Sequence, residues 1–293
     1  KQKMLIRKMT SVTKRSVVGA ALRYSQGATS ARSIRAFSSG TEGSPAYLIM
    51  GANGGIGASL AEKLLVDGSR VALCCRDDTK MTALVEMLCA GPAGAGAKER
   101  IITVQVDATV PAEVEACVKK VLGEFGRVDG AANCVGSIVL KPAHSTSEAE
   151  FEETLKINLF SSFSLLRNLA RPMMKQKSGS IIFCSSAVAS IGLSNHEAIA
   201  AAKAGVEGLA LSAAATYARY GIRINVVAPG LTNTNIAAKI TSNEAALKAS
   251  VALHPFGRIG EAEESASAIY FLLKHTYITG QVLGVDGGLS SLK

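Results

Sequence analysis

At 293 residues, with 48% hydrophobic residues, abundant Gly and no Trp, the chain is long enough for one large α/β domain with a full core. Its net charge of +9 sits at one end: residues 1–40 hold nine Lys or Arg and no acid, and the other 23 basic residues balance 23 acidic ones. That distribution argues against a nucleic-acid-binding surface on the globular part, and no apolar run approaches the ~20 residues that cross a bilayer.

Residues 1–44 read as an organellar leader. The stretch is Arg- and Ser-rich and acid-free up to residue 40, as transit peptides are, and such a segment can form a basic amphipathic helix attracted to an anionic membrane. "RAFSS" (35–39) resembles a mitochondrial processing site with cleavage after Phe37. The expected location is therefore the mitochondrion, with a plastid, or a plain basic tail, as alternatives.

From Pro45 to the end, short apolar runs alternate with helical stretches. The predicted strands are 46–50, 70–75, 100–106, 128–135, 180–186, 223–229 and 281–286, several rich in β-branched residues. The predicted helices include 56–67, 111–123, 148–175 and 195–220, and "AGPAGAGA" (90–97) reads as a flexible surface connection. Apolar strands separated by helices imply a single α/β domain with a doubly wound, Rossmann-type parallel sheet, covered on both faces and wound with right-handed crossovers. The six cysteines (74, 75, 89, 117, 134, 184) form no CxxC and no Cys/His cluster, so they read as reduced structural thiols with no metal site.

"GANGGIG" (51–57) follows the first strand and opens the first helix. In that context Gly51 permits a tight turn, Gly55 lets the backbone approach a pyrophosphate, and Gly57 lets the helix pack against the sheet. Asn53 and Ile56 complete the turn, and the helix N-terminus offers free N–H groups and a positive dipole end to phosphates.

The spacing GxxxGxG, together with the motifs downstream of it, resembles the short-chain dehydrogenase/reductase family over nearly all of 45–293. "VDAT" puts Asp107 where that family contacts the adenine ring. "NCVG" matches its strand-four motif at Asn133 and Gly136, "KINLF" supplies Asn158, and "GSIIFCSS" supplies Ser186. Lys203 takes the lysine position, and "APGLTNT" gives Pro229, Gly230 and Thr234. By resemblance, Ser and Tyr would hydrogen-bond a substrate carbonyl, Lys would hold the nicotinamide ribose, and Asn would anchor a water chain. Dimers or tetramers of the same chain are implied, and "EAEESASAIYFLLK" and the 148–175 helix are candidate subunit contacts.

The second strand ends "LCCRDD". An NAD-preferring relative carries an acid where Cys75 stands, whereas the Arg76 guanidinium suits a 2′-phosphate. NADP(H) is thus favoured over NAD(H), the alternative being that Arg76 merely pairs with Asp77 or Asp78.

The tyrosine position holds Ile199, which gives neither a proton nor a hydrogen bond. Hydride addition to a carbonyl creates an alkoxide that needs both. His196 stands two helical turns before Lys203, and Ser194 with Glu197 suggests a capping box that would place His196 in the first helical turn. A neutral imidazole there can donate one hydrogen bond. A solvent-facing histidine, or a water relayed through Asn158 and Lys203, are the other readings. Two functions remain open: an NADP(H)-dependent reductase of a carbonyl or activated alkene, similar to 3-oxoacyl-carrier-protein or enoyl reductases, or a non-catalytic dinucleotide-binding sensor or scaffold. The Ala-, Ile- and Leu-rich segment 231–258 is expected to fold over the pocket and to favour an apolar small-molecule substrate.

Overall fold

All seven predicted strands form, and they lie in one sheet of a computed structural model that describes residues 43–292. They are β1 (Ala46–Met50), β2 (Arg70–Cys75), β3 (Ile101–Gln105), β4 (Gly130–Asn133), β5 (Gly179–Cys184) and β6 (Ile222–Pro229). A two-residue pair, β7 (Thr232–Asn233) and β8 (Gly260–Glu261), precedes the last strand, β9 (Val282–Val285). The leader read over residues 1–44 lies outside the described residues but for its last two positions.

The order is β3-β2-β1-β4-β5-β6-β9, and every pair in the sheet is parallel. The connecting helices are α1 (Gly55–Val66), α2 (Asp78–Ala90), α3 (Pro111–Phe125), α4 (Glu148–Leu155), α5 (Ser161–Gln176) and α6 (Glu197–Tyr217). They continue with α7 (Ala238–Thr241), α8 (Glu244–Leu253) and α9 (Ala262–Lys274). Successive strand residues face opposite sides. Leu48, Cys74, Ile181 and Phe183 therefore pack under α3, α5 and α6, while Ile49, Leu73, Ile182 and Val227 pack under α1, α2 and α9. With both faces covered, β1, β2 and β5 are buried at every residue, which explains their unbroken apolar runs.

Two local readings change. The 148–175 stretch is two helices joined by a π-helical turn at Lys156–Phe160, an irregularity that recurs at functional sites. The 90–97 connection is partly structured: a 3₁₀ turn covers Ala95–Arg100 and buries Ala97. Helix α9 spends Ala266, Ile269, Leu272 and Leu273 on the core of its own chain and leaves Phe271 exposed, while Phe151, Phe160 and Phe163 stand exposed on the α4–α5 stretch. One segment, Glu197–Tyr220, is long and apolar enough to cross a membrane by length and composition, although Glu197, Lys203 and Glu207 interrupt its apolar run. In the fold it lies on the sheet with Ala202, Lys203, Val206 and Ala210 buried.

The strand order reverses beside β1, whose neighbours are β2 and β4. In open α/β sheets the crevice at the carboxyl ends of the strands flanking such a switch point receives the ligand.

Candidate active site

The glycine turn is built by contacts that exclude side chains. Gly51 has φ +81°, and a Cβ there would lie 2.8 Å from the Val135 nitrogen at the end of β4. On Gly57 a Cβ would lie 2.4 Å from the Gly51 carbonyl oxygen, and on Gly55 it would meet the Thr234 methyl at 3.1 Å. Gly51 and Gly57 thus close the turn, and Gly55 lies beneath Thr234, a residue far later in the sequence. Helix α1 starts after Gly54 without a side-chain cap, so its first N–H groups are free to bind an anion. Asn53 and the half-buried Ile56 border the turn.

At the opposite end, Cys75 is buried and its thiol is directed to the Asp77 carbonyl oxygen. Arg76 is mostly exposed, and its Nη1 lies 3.6 Å from Asp107 Oδ2. Asp77 is otherwise engaged: it caps α2, accepting from the Lys80 backbone, and pairs with the Lys80 side chain. The alternative pairing of Arg76 with Asp77 or Asp78 is not what forms. Burial raises the Asp107 carboxyl pKa, but hydrogen bonds from Thr109 and the nearby Arg76 outweigh it and hold the group below its usual value. An exposed ion pair of this kind is worth about 0–1 kcal/mol, so Arg76 can exchange Asp107 for a phosphate at little cost. Beside these two residues a groove of about 690 Å³ opens between the β3 edge and α3.

Beyond the turn, Lys203 and Asn158 come together at Gly136, and Ser186 follows two residues after the end of β5. Lys203 is 6% exposed, and its Nζ donates to the Cys184 carbonyl oxygen at 2.8 Å. A Cβ on Gly136 would lie 3.2 Å from Asn158 Oδ1 and 3.6 Å from Lys203 Nζ, so both side chains converge there. Burial lowers the Lys203 pKa, with the neighbouring Cys184 and Cys134 thiols opposing the shift. The Asn158 amide is held rigidly: Oδ1 accepts from the Ser137 backbone, and Nδ2 donates to Ser137 Oγ and the Thr154 carbonyl oxygen. Ser186 is half-buried, and its Oγ reaches the Pro229 carbonyl oxygen at 3.5 Å.

Two readings at this end need correction. Asn133, grouped with the cofactor-binding residues, is 1% exposed, and its amide is consumed by Ser161 Oγ, Ser162 Oγ and the Val135 backbone. Its side chain ties the end of β4 to α5. The capping box at Ser194 does not form either. Asn195 adopts a left-handed conformation (φ 65°) that turns the chain, and α6 begins at Glu197 with His196 as its N-cap. The His196 Nδ1 lies 2.7 Å from the Ser194 carbonyl oxygen, to which it must donate, since a carbonyl only accepts. In the neutral ring Nε2 is then an acceptor, and a proton is present on it only in the imidazolium. Ile199 is 4% exposed within the first turn of α6.

Pro229 ends β6, and the Gly230 N–H donates to the Val285 carbonyl oxygen. The segment 231–258 leaves from this point through α7 and α8, and its ends are joined by the β7–β8 pair, Thr232 opposite Gly260. Sequence reasoning missed Ser137, the partner of Asn158, and His254, which bonds the Leu231 backbone. Neither has a sequence signal, because each is defined by a partner far away along the chain.

A family model described as enoyl-(acyl carrier protein) reductase matches residues 51–290. The 3-oxoacyl-[acyl-carrier-protein] reductase FabG of Escherichia coli (strain K12) is 34% identical over 244 residues, 83% of this chain and 96% of that protein. Levodione reductase of Leifsonia aquatica is also 34% identical, over 83% of this chain and 93% of its own length. Among solved structures, ElxO with NADP bound superimposes with a TM-score of 0.78 at 28% identity, covering 85% of this chain and 99% of that one. By this extended match, on top of the sheet order and the glycine turn, the chain belongs to the short-chain dehydrogenase/reductase family.

Proposed function

We propose that this protein is an NADP(H)-dependent oxidoreductase that reduces the carbonyl or activated alkene of a small apolar substrate. The observation that carries the reading is Lys203: a buried ammonium converging with Asn158 on Gly136, beyond a phosphate-binding turn. A buried charge is costly unless it is paired, and among the described residues Lys203 hydrogen-bonds a single carbonyl group. The hydroxyls of a nicotinamide ribose would supply the missing acceptors. The α1 N-terminus would hold the pyrophosphate, Thr234 and the Pro229–Gly230 segment would border the nicotinamide half, and Arg76 would hold a 2′-phosphate. ElxO, similar to this chain, binds NADP, and a tyrosine-to-phenylalanine variant of it binds NADPH.

When bound, the reduced dinucleotide supplies the hydride. Ser186 donates a hydrogen bond to the substrate oxygen, and Lys203 keeps positive charge beside it. The family's tyrosine position holds Ile199, whose side chain supplies no proton. Because the neutral His196 ring spends its proton on Ser194, the arrangement favours a water relayed past Asn158 and Lys203. Conjugate reduction suits such a site, since its enolate needs stabilisation first and a proton later. The similarity to FabG supports 3-oxoacyl thioesters as the first substrates to test, and the exposed apolar side chains Ile236 and Leu253 beyond β6 agree with an acyl chain.

Residues 1–44 serve in this reading as a mitochondrial transit peptide, with a plastid as the alternative destination. The exposed Phe151, Phe160 and Phe163 support self-association. The buried Ile199 favours a second reading, a non-catalytic dinucleotide-binding subunit.

Turnover of NADPH with 3-oxoacyl, 2-enoyl and simple carbonyl substrates separates the two, using wild type, Ser186→Ala, His196→Ala and Ile199→Tyr. Catalysis requires wild-type turnover that falls on the order of a hundredfold in Ser186→Ala, the usual scale for losing one oxyanion donor. Binding without turnover, with activity appearing only in Ile199→Tyr, establishes the non-catalytic reading.

A further inference from the structure

His254 is the one histidine among the described residues that is buried, at 4% exposure. Both ring nitrogens are engaged. Nδ1 lies 2.7 Å from the Ser250 carbonyl oxygen one helical turn earlier, and Nε2 accepts the Leu231 backbone N–H at 3.2 Å. Because the carbonyl oxygen can only accept, the ring is neutral with its proton on Nδ1. One face of the site therefore depends on a side chain that bonds the first residue of the 231–258 segment from near its last.

The surrounding backbone packs closely against the ring. A Cβ on Gly230 would lie 2.6 Å from His254 Nε2 and 3.0 Å from the Asp286 Cα. The Gly230 N–H is fixed to Val285, the Phe256 N–H to Gly287, and the Gly257 N–H to the His254 carbonyl oxygen. Pro229, one residue before, carries the carbonyl oxygen that Ser186 Oγ reaches. A continuous set of contacts thus runs from α8 through the imidazole to Leu231, Gly230 and Pro229, and on to Ser186. No acid among the described residues makes a hydrogen bond to the ring. The nearby Asp286 is occupied by the Gly288 and Ser290 backbones and the Ser290 hydroxyl.

We propose that His254 is a positioning residue: a clasp that closes the base of the 231–258 segment and fixes the Pro229–Gly230–Leu231 backbone where cofactor and substrate meet. This rests on the function proposed above, but the clasp is a property of the ligand-free protein. Its partner is a part-buried main-chain donor, and leaving such a donor unsatisfied favours opening of a local segment. Opening there would loosen the wall beside Ser186 and release Thr234 from Gly55 of the α1 turn, while leaving the Lys203 hydrogen bond to Cys184 in place.

The test uses the full chain and three variants. His254→Gln can return an acceptor oxygen to the Leu231 N–H, His254→Asn can keep only the bond to Ser250, and His254→Ala keeps neither. Amide hydrogen exchange without ligand should show residues 229–254 exchanging at least about tenfold faster in His254→Ala and His254→Asn, with His254→Gln close to wild type. With NADPH and a turned-over substrate, the same two variants should raise KM by roughly tenfold while kcat stays within about threefold, and His254→Gln should restore KM. If His254→Ala fails to fold, the glutamine–asparagine contrast decides. Equal exchange in wild type and variants, or equal losses in Gln and Asn, overturns the clasp. A wild type that binds no NADPH overturns the proposed function instead, because the exchange measurement reads the clasp without any ligand.

Discussion

Lys203 Nζ donates to the carbonyl oxygen of Cys184, the last residue of β5, and that 2.8 Å contact is its one hydrogen bond among the described residues. An ammonium has three N–H donors, so two remain for a ligand. On the function proposed above, the position serves binding at the expense of stability. Lys203→Met should therefore abolish measurable turnover and weaken NADPH binding by at least about tenfold, while the melting temperature holds or rises by a few degrees. A variant that melts far below wild type would show that the lysine is structural.

The same burial has a signed consequence for pH. The folded-state pKa of Lys203 lies below its unfolded value, because the interior disfavours the charge. The unfolded chain thus binds the proton more strongly, and the penalty is fully present below the folded pKa. It fades as pH rises through the folded pKa towards 10.5, the ordinary lysine value. Urea unfolding at about pH 7 and about pH 9.5 should show the stability gap between Lys203→Met and wild type narrowing at the higher pH. A gap that widens would reverse the assigned sign.

Arg76 faces Asp107 across 3.6 Å and is otherwise in solvent, which leaves it available to a phosphate. Arg76→Ala should weaken NADPH binding on the order of tenfold to a hundredfold, the scale of a charge-assisted hydrogen bond, with NADH little changed. Cys75→Asp should move preference the same way by repelling the 2′-phosphate. Parallel fluorescence titrations with NADPH and NADH read both effects, and equal losses for the two nucleotides would remove Arg76 from the phosphate.

Glycine chemistry gives a contrast within one chain. Gly57→Ala drives a methyl group to 2.4 Å from the Gly51 carbonyl oxygen and should cost about 1–3 kcal/mol of stability together with nucleotide binding. Gly123, inside α3, has nothing within 4 Å of an added Cβ, so Gly123→Ala should stabilise by roughly 0.5–1 kcal/mol and leave binding unchanged. Chemical denaturation of both variants checks the pair.

How much of this was legible in the sequence tracks the range of the forces involved. Strands β1 and β2 match their predicted bounds, because buried parallel strands are written as unbroken apolar runs between turn residues. The glycine turn was legible for the same local reason. The π-turn at Lys156–Phe160 was not, since "KINLF" carries ordinary helical residues. Nor was the failed capping box, where the left-handed Asn195 overrides a plausible Ser–Glu spacing. The long-range partners of Asn133, Arg76 and His254 stand between 23 and 31 positions away in sequence. Each residue type was visible, but its role depended on which strand end or helix the fold set against it.

The central claim is that NADP(H) lies between the N-terminus of α1 and Lys203, in position to react. Titration of the full chain with NADPH, followed by stopped-flow absorbance of the reduced nicotinamide with a 3-oxoacyl thioester, tests it most directly. We expect saturable NADPH binding that is tighter than that of NADH, and NADPH consumption that is abolished in Lys203→Met. Neither nucleotide binding to the wild type, or NADPH consumption unaffected by Lys203→Met, would contradict it.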